Sequence, residues 1–287
     1  MYTSHFKLKE NPFSLTPDPK YLFLSGQHRE ALHHLIYGIK EKKGFIVVTG
    51  GIGTGKTTLS RALLARMDAF VETALIFNSY LSDMELLEVI NQEFKISLID
   101  VDRTKRRYID SLSAFLMSNY RAGKNAVVLI DEAQNLSRNV LEQIRMLSNL
   151  ETETEKLLQI ILVGQPELRD LLEQPSLKQL AERISVRYHL DSLSSDDVPY
   201  YIEHRLAVAG STEQLIFADN AFRKIYDFSR GNPRRINILC DRALLIAYAG
   251  NQHVIDNKVI KLAINDLKSS DVKKGSFFSK RKKRLFA

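Results

Sequence analysis

The 287-residue chain holds a single cysteine, Cys240, which excludes an internal disulfide and leaves nothing pointing to an oxidising compartment. No apolar run reaches the roughly 18 residues that a membrane-spanning helix needs. The opening stretch MYTSHFKLKENPF lacks the apolar core of a secretory leader, so a cytoplasmic protein is expected. Internal repeats are absent, and acids are absent from residues 273–287. In that tail Lys273, Lys274, Lys280, Arg281, Lys282, Lys283 and Arg284 account for the whole net charge of +7. With those seven set aside, residues 1–272 carry 34 basic against 34 acidic side chains, which argues against a general nucleic-acid-coating surface.

What is present is a globular balance: 44% apolar and 26% charged residues, enough to build a core and unlike a disordered chain. Three prolines, Pro12, Pro17 and Pro19, make the N-terminal segment extended and irregular. A helix over 27–42 follows, with Leu32, Leu35, Ile36 and Ile39 on one face. From there, short β-branched runs alternate with helical patterns. Strands are expected at GFIVVTG, ALIFN, AVVLID, LLQIILVG and SVRYHL, with helices near 56–67, 83–94, 104–121 and 137–150. Continuous apolar strands separated by helices predict βαβ units and a parallel sheet covered on both faces. Residues 191–268 read as helices only, at 194–209, 219–229, 233–249 and 256–268, with Pro233 suited to a first helical turn. The expected organisation is an N-terminal segment with first helix (1–42), an α/β core (43–192), a helical lid (193–268) and a basic tail (269–287).

Gly50, Gly51, Ile52, Gly53, Thr54, Gly55, Lys56 and Thr57 match G-x-x-x-x-G-K-[ST] between an expected strand and an expected helix, with Thr58 next in line. The glycines allow backbone N–H groups to turn inward around phosphate oxygens, and the helix N-terminus adds its positive end. Lys56 is then the residue for the β- and γ-phosphates, and Thr57 a ligand for Mg²⁺. The strand Val127–Ile130 ends in Asp131 and Glu132, about 75 residues further on. Asp131 suits a magnesium ion, and Glu132 suits polarisation of an attacking water. Together these imply a hydrolase rather than a nucleotide carrier, with a triphosphate cleaved by an acid on a strand adjacent to the phosphate loop. A DEAD-box helicase reading of Asp-Glu-Ala-Gln requires a second α/β domain, for which the chain is too short.

Gln165 ends LLQIILVG, either aimed at the γ-phosphate or filling a turn before Pro166. Arg183 and Arg187 flank the start of the last strand, and Arg234 follows Pro233 in Gly231-Asn232-Pro233-Arg234-Arg235. An arginine near a γ-phosphate stabilises developing charge; a surface ion pair is the ordinary alternative.

The whole set resembles the AAA+ ATPases: a P-loop αβα sandwich with an all-helical lid. On that resemblance, Gln165 stands at sensor 1, where the family usually has Asn. Arg183 stands as a finger reaching a neighbouring subunit, and Arg234 as sensor 2, contacting nucleotide within its own subunit. A ring or other homo-oligomer is thereby implied. A narrower likeness lies in HFKLKENPFSLTPDPKYLFLSGQHREAL, IDEAQNL, ILVGQPEL with RISVRYHL, and GNPRRINILCDRALLIAYA. These are similar to the general secretion pathway ATPases, which serve type II secretion, mannose-sensitive haemagglutinin (type IV) pilus biogenesis and exosortase-linked export. The expectation is a short, pilus-associated form without the periplasmic peptidoglycan-binding domain, peripheral at the inner membrane, with secretion or pilus proteins as partners. The resemblance also makes Pro12, Phe13 and Tyr21 candidates for an adenine pocket. The rival is a DNA-associated AAA+ regulator of transposition, and a third reading is a nucleotide-sensing scaffold.

Other features have plainer readings. His28, His33 and His34 share one helix without completing a metal site and read as surface or rim residues; Cys240 reads as core. In the tail, Phe277, Phe278, Leu285 and Phe286 flank KRKKR, a composition that suits an anionic lipid surface, nucleic acid or plain solvation.

Overall fold

The computed structural model describes residues 2–67, 70–97, 103–211 and 215–282, with side chains described up to Ser269. The chain divides into two compact units, Gly26–Asp191 and Met1–Ser25 with Ser192–Ala287. A short helix, α1 (Tyr2–His5), opens the chain.

The first unit is an α/β layer structure. Its strands are β1 (Phe45–Gly50), β2 (Val71–Ile76), β3 (Asn125–Ile130), β4 (Gln159–Gly164) and β5 (Ile184–Leu190). All pair in parallel, in the order β2-β3-β4-β1-β5. The helices are α2 (Gly26–Lys40), α3 (Lys56–Leu64), α4 (Asp83–Glu93), α5 (Lys105–Arg121), α6 (Arg138–Leu147), α7 (Glu167–Leu172) and α8 (Lys178–Ala181). Sequence character tracks position in the sheet. Central β1 and β4 are buried at every residue and read as nearly continuous apolar runs, interrupted only by Thr49 and Gln159, whereas edge strand β5 alternates. The other edge explains a misplaced boundary. β2 begins three residues before ALIFN and stops short of Phe77, because an edge tolerates Glu72 and Thr73 while Phe77 is half exposed.

The crossover helices are fixed by local chemistry. Ser82 and Glu85 form a reciprocal capping box on α4, and Ser137 accepts from the Val140 N–H to start α6. Leu86, Leu112, Leu116 and Ile144 are 0–1% exposed in the core these helices close over the sheet, each contributing about 1.5–3 kcal/mol.

The second unit contains α1, α9 (Asp197–Val208), α10 (Asp219–Ser229), α11 (Pro233–Ala249) and α12 (Asn257–Lys282). It is not purely helical: β6 (Ile216–Phe217) and β7 (Val254–Ile255) form a small parallel pair, too short to leave a periodic trace in the sequence. The last helix also continues past residue 268, the expected end of the lid; the side chains of the basic tail lie outside the described residues. Asn232 caps α11 by accepting from the Arg235 N–H, with Pro233 in the first turn. Gly231 precedes it at φ +72°, and a Cβ there would lie 1.8 Å from the Leu193 carbonyl oxygen. Only glycine fits.

Residues 1–42 do not form one element. Gly26 begins the α/β unit, whereas Tyr2, Phe6, Leu8 and Phe13 join Val198, Ile202, Ile236 and Leu244 in the core of the helical unit. Arg205 ties this segment down. Its Nε donates to the Pro12 carbonyl at 2.5 Å, its Nη2 to that of Ser14 at 3.1 Å, and its guanidinium lies 4.4 Å from the centre of the Tyr21 ring. A cation only 6% exposed is thus satisfied by carbonyls and an aromatic face. Burial and the Glu10 carboxylate, which accepts from the Tyr21 hydroxyl at 2.8 Å, push that phenol up to about 12. Phe13 and Tyr21 are therefore core side chains rather than open pocket walls. Cys240 is fully buried, as expected of a core residue.

Candidate active site

The loop between β1 and α3 is closed by its own lysine. Lys56 Nζ donates to the carbonyls of Gly50 at 2.8 Å and Gly51 at 2.9 Å, while Thr54 Oγ1 donates to Gly51 at 3.0 Å. Burial pulls the Lys56 ammonium below the ordinary lysine range, an effect that the charges of Glu132, Asp131 and Glu167 oppose. A buried ammonium resting on two carbonyls has strong reason to exchange them for phosphate oxygens.

His28 supports the loop from below. It is 4% exposed on α2, and its Nε2 donates to the Thr54 carbonyl at 3.3 Å. Since a carbonyl can only accept, Nε2 must carry the proton. His28 is thus no surface residue, unlike exposed His33 and His34. Its spacing gave a signal: 28, 32, 35 and 39 lie on one helical face, with Leu32, Leu35 and Ile39 buried beside it.

The acids arrive from β3, which is not β1's neighbour; β4 lies between them. Even so, Thr57 Oγ1 donates to Asp131 Oδ2 at 2.8 Å. These are hard oxygen donors of the kind magnesium takes, and no cluster of three or more His, Cys, Asp or Glu that would suit another metal occurs among the described residues. Asp131 Oδ1 accepts from the Glu132 N–H at 2.9 Å, fixing the start of the next turn.

Glu132 adopts a left-handed backbone, φ +51°, a conformation that costs a non-glycine residue about 1–3 kcal/mol. Its Oε2 accepts from Gln134 Nε2 at 2.6 Å and from Gln165 Nε2 at 3.2 Å. Burial alone would raise its carboxyl, but these amides and the charge of Lys56 outweigh burial and hold it below the usual glutamate range. Gln165, at the end of β4, therefore reaches Glu132. Gln134 escaped the sequence reading because nothing in IDEAQNL distinguishes it from an ordinary turn residue.

The two candidate arginines of the α/β unit make their hydrogen bonds away from Glu132. Arg183 Nη1 donates to the Arg145 carbonyl at 3.3 Å and Ser148 Oγ at 2.6 Å, at the C-terminal end of α6. Exposed Arg187 donates to the Ala181 carbonyl at 2.9 Å. Arg234 is exposed on the first turn of α11 in the helical unit. Ile52 lies within the loop and is 62% exposed, and Thr58 follows in the first turn of α3, half-buried.

Comparison with known proteins agrees with this architecture. A family described as an AAA domain matches residues 39–172. General secretion pathway protein A of Aeromonas hydrophila is 49% identical over 263 residues, covering 92% of this chain and 48% of its own length. The chain thus spans about half of that relative. Among solved structures, the Aeropyrum pernix ORC2 protein with ADPNP and ADP superposes with a TM-score of 0.65 at 16% identity, covering 90% of this chain and 72% of that one. The Aeropyrum pernix ORC1 protein in complex with DNA gives 0.64 at 15%, covering 91% and 70%. At such identities the structures speak for the fold alone.

Proposed function

Because the chain belongs to the AAA ATPases related to general secretion pathway protein A, we propose that it hydrolyses ATP to drive or regulate assembly of a type II secretion or type IV pilus machine at the inner membrane. The observation that carries the hydrolytic reading is the 2.8 Å contact between Thr57 and Asp131, which joins the phosphate loop to the acids of β3.

In this reading Lys56 releases the Gly50 and Gly51 carbonyls and takes the β- and γ-phosphate oxygens, helped by the N-terminus of α3. Thr57 and Asp131 would hold Mg²⁺, whose charge offsets that of the phosphates. Glu132 orients water for attack on the γ-phosphorus and accepts its proton on the carboxylate. Gln165 senses the γ-phosphate. Arg234 contacts nucleotide from its own subunit's lid, and Arg183 serves a neighbouring subunit in a homo-oligomer, leaving its place at the end of α6. The tail rests on anionic lipid, each basic residue contributing about 1 kcal/mol.

Purified protein is expected to show Mg²⁺-dependent ATPase activity that Lys56→Ala abolishes. Glu132→Gln is expected to bind ATP without turning it over. A parent protein as inactive as Lys56→Ala under every oligomerising condition overturns the proposal.

The rival, a DNA-associated regulator of transposition, draws support from the fold shared with the DNA-bound ORC1 protein. The charge balance of residues 1–272 weighs against it. A salt-dependent DNA affinity that survives deletion of residues 273–287 would favour it.

A further inference from the structure

The peptide between Thr54 and Gly55 is held at its carbonyl end. His28, buried on α2, donates from Nε2 to the Thr54 carbonyl at 3.3 Å. A trans peptide points its C=O and N–H in opposite directions, so this bond turns the Gly55 N–H away from His28. No protein group among the described residues accepts from that N–H. The other polar groups of Thr54 are committed within the loop: its N–H and Oγ1 both donate to the Gly51 carbonyl, at 3.4 and 3.0 Å. Gly55 lets the imidazole come close. Its φ of +102° favours glycine, and a Cβ there would lie 3.2 Å from His28 Nε2. His28 is in turn fixed by its helix. The Tyr188 hydroxyl on β5 donates to the Gln27 carbonyl at 2.9 Å in the first turn of α2, and Leu32, Leu35 and Ile39 bury the same face.

We infer that His28 is a positioning residue for the phosphate loop: by holding the Thr54 carbonyl, it aims the Gly55 N–H at the phosphate oxygens of a bound nucleotide. The inference rests on reading residues 50–57 as a nucleotide-phosphate site, and it is independent of whether the nucleotide is then hydrolysed. Two effects act through one peptide. The bond fixes the plane of the Thr54–Gly55 amide, and by drawing charge onto the carbonyl oxygen it makes the N–H at the other end a stronger donor. The loop grips phosphate before and during transfer alike, so losing the bond weakens binding more than it slows the bound complex. A histidine that merely filled the space under the loop would be replaceable by any side chain of its size.

His28→Leu fills much of the same volume and removes the donor. His28→Asn, whose amide falls one bond short of the imidazole Nε2, removes it without an apolar side chain and serves if the first variant fails to fold. His28→Gln carries an amide N–H about as far out as Nε2 and should restore the bond. Two readouts apply to the full chain. The first is competition of ADP, and separately of adenosine, against a fluorescent ADP analogue. The second is kcat and KM for ATP. The donorless variants should bind ADP on the order of tenfold more weakly, as expected when a hydrogen bond to a charged group is lost. Adenosine, which has no phosphate, should compete as it does with the parent. KM should rise with kcat little changed, and His28→Gln should stay close to the parent in every measurement. Unchanged ADP affinity in a folded donorless variant overturns the inference, as does an equal loss for adenosine or a His28→Gln that binds no better than His28→Leu. If ADP binding responds as expected but the parent shows no turnover, the positioning role stands and the ATPase reading fails. A parent that binds no ADP overturns both.

Discussion

Thr57 and Asp131 share a 2.8 Å hydrogen bond although the strands that deliver them, β1 and β3, are separated by β4. The two oxygen donors are in place before any cation arrives, so little rearrangement is required of the protein on binding. Thr57→Ala removes one donor and is expected to raise the Mg²⁺ concentration for half-maximal ATPase activity on the order of tenfold or more. Thr57→Ser, which retains the hydroxyl, should stay close to the parent. A magnesium titration of turnover at fixed ATP decides it, and equal midpoints in all three proteins would remove Thr57 from the metal's coordination.

The pH dependence of turnover follows from Glu132. The carboxyl lies below its ordinary value of 4.5 in the folded protein. A lowered folded value means that the ionised, competent base persists as pH falls and is lost only on passing through that folded value. The associated stability has the same sign: present above the unfolded value and lost at the acid end. The acid limb of kcat should accordingly lie below the ordinary glutamate range. A limb at about 6, the raised value of a carboxyl acting as an acid, would contradict the assigned environment.

Gly231→Ala tests the start of α11. The substitution places a methyl 1.8 Å from the Leu193 carbonyl oxygen at φ +72°, and backbone must move to accommodate it. A loss of about 2 kcal/mol or more is expected. It should appear as an earlier urea transition of the helical unit, monitored through Tyr201 or Tyr226 with site-specific labels. A transition coincident with that of the parent would mean that the turn relaxes at no cost.

Deleting residues 273–287 removes seven basic residues and no acids. Binding to vesicles containing anionic lipid is expected to weaken by orders of magnitude, with ATPase activity retained. Cosedimentation with neutral and anionic vesicles at two salt concentrations provides the check. Unchanged binding after the deletion would move the membrane contact to another surface.

How far the sequence was legible depended on whether a role is carried by contiguous residues. The phosphate loop could be read because its chemistry requires Gly50 to Thr57 in order between a strand and a helix. Asp131 and Glu132 stood out because an apolar strand ending in two acids is a local pattern. Gln134 was invisible because its position depends on the close approach of Gly164, 30 residues away on another strand. His28 was misread although its spacing from Leu32 and Leu35 placed it on the buried face, because polar residues on such faces are usually solvated. The two-residue strands β6 and β7 were too brief for period-two alternation to register.

The helical unit is assembled from both ends of the polypeptide, with the α/β unit inserted between them. Anyone removing the first 25 residues as a dispensable leader would discard one of its contributors. Such a cut would strip Phe6, Leu8 and Phe13 from a hydrophobic interior and leave Arg205 buried without the Pro12 and Ser14 oxygens that satisfy it. Truncations intended to isolate the helical half must therefore join the first 25 residues to it, through a linker or by circular permutation.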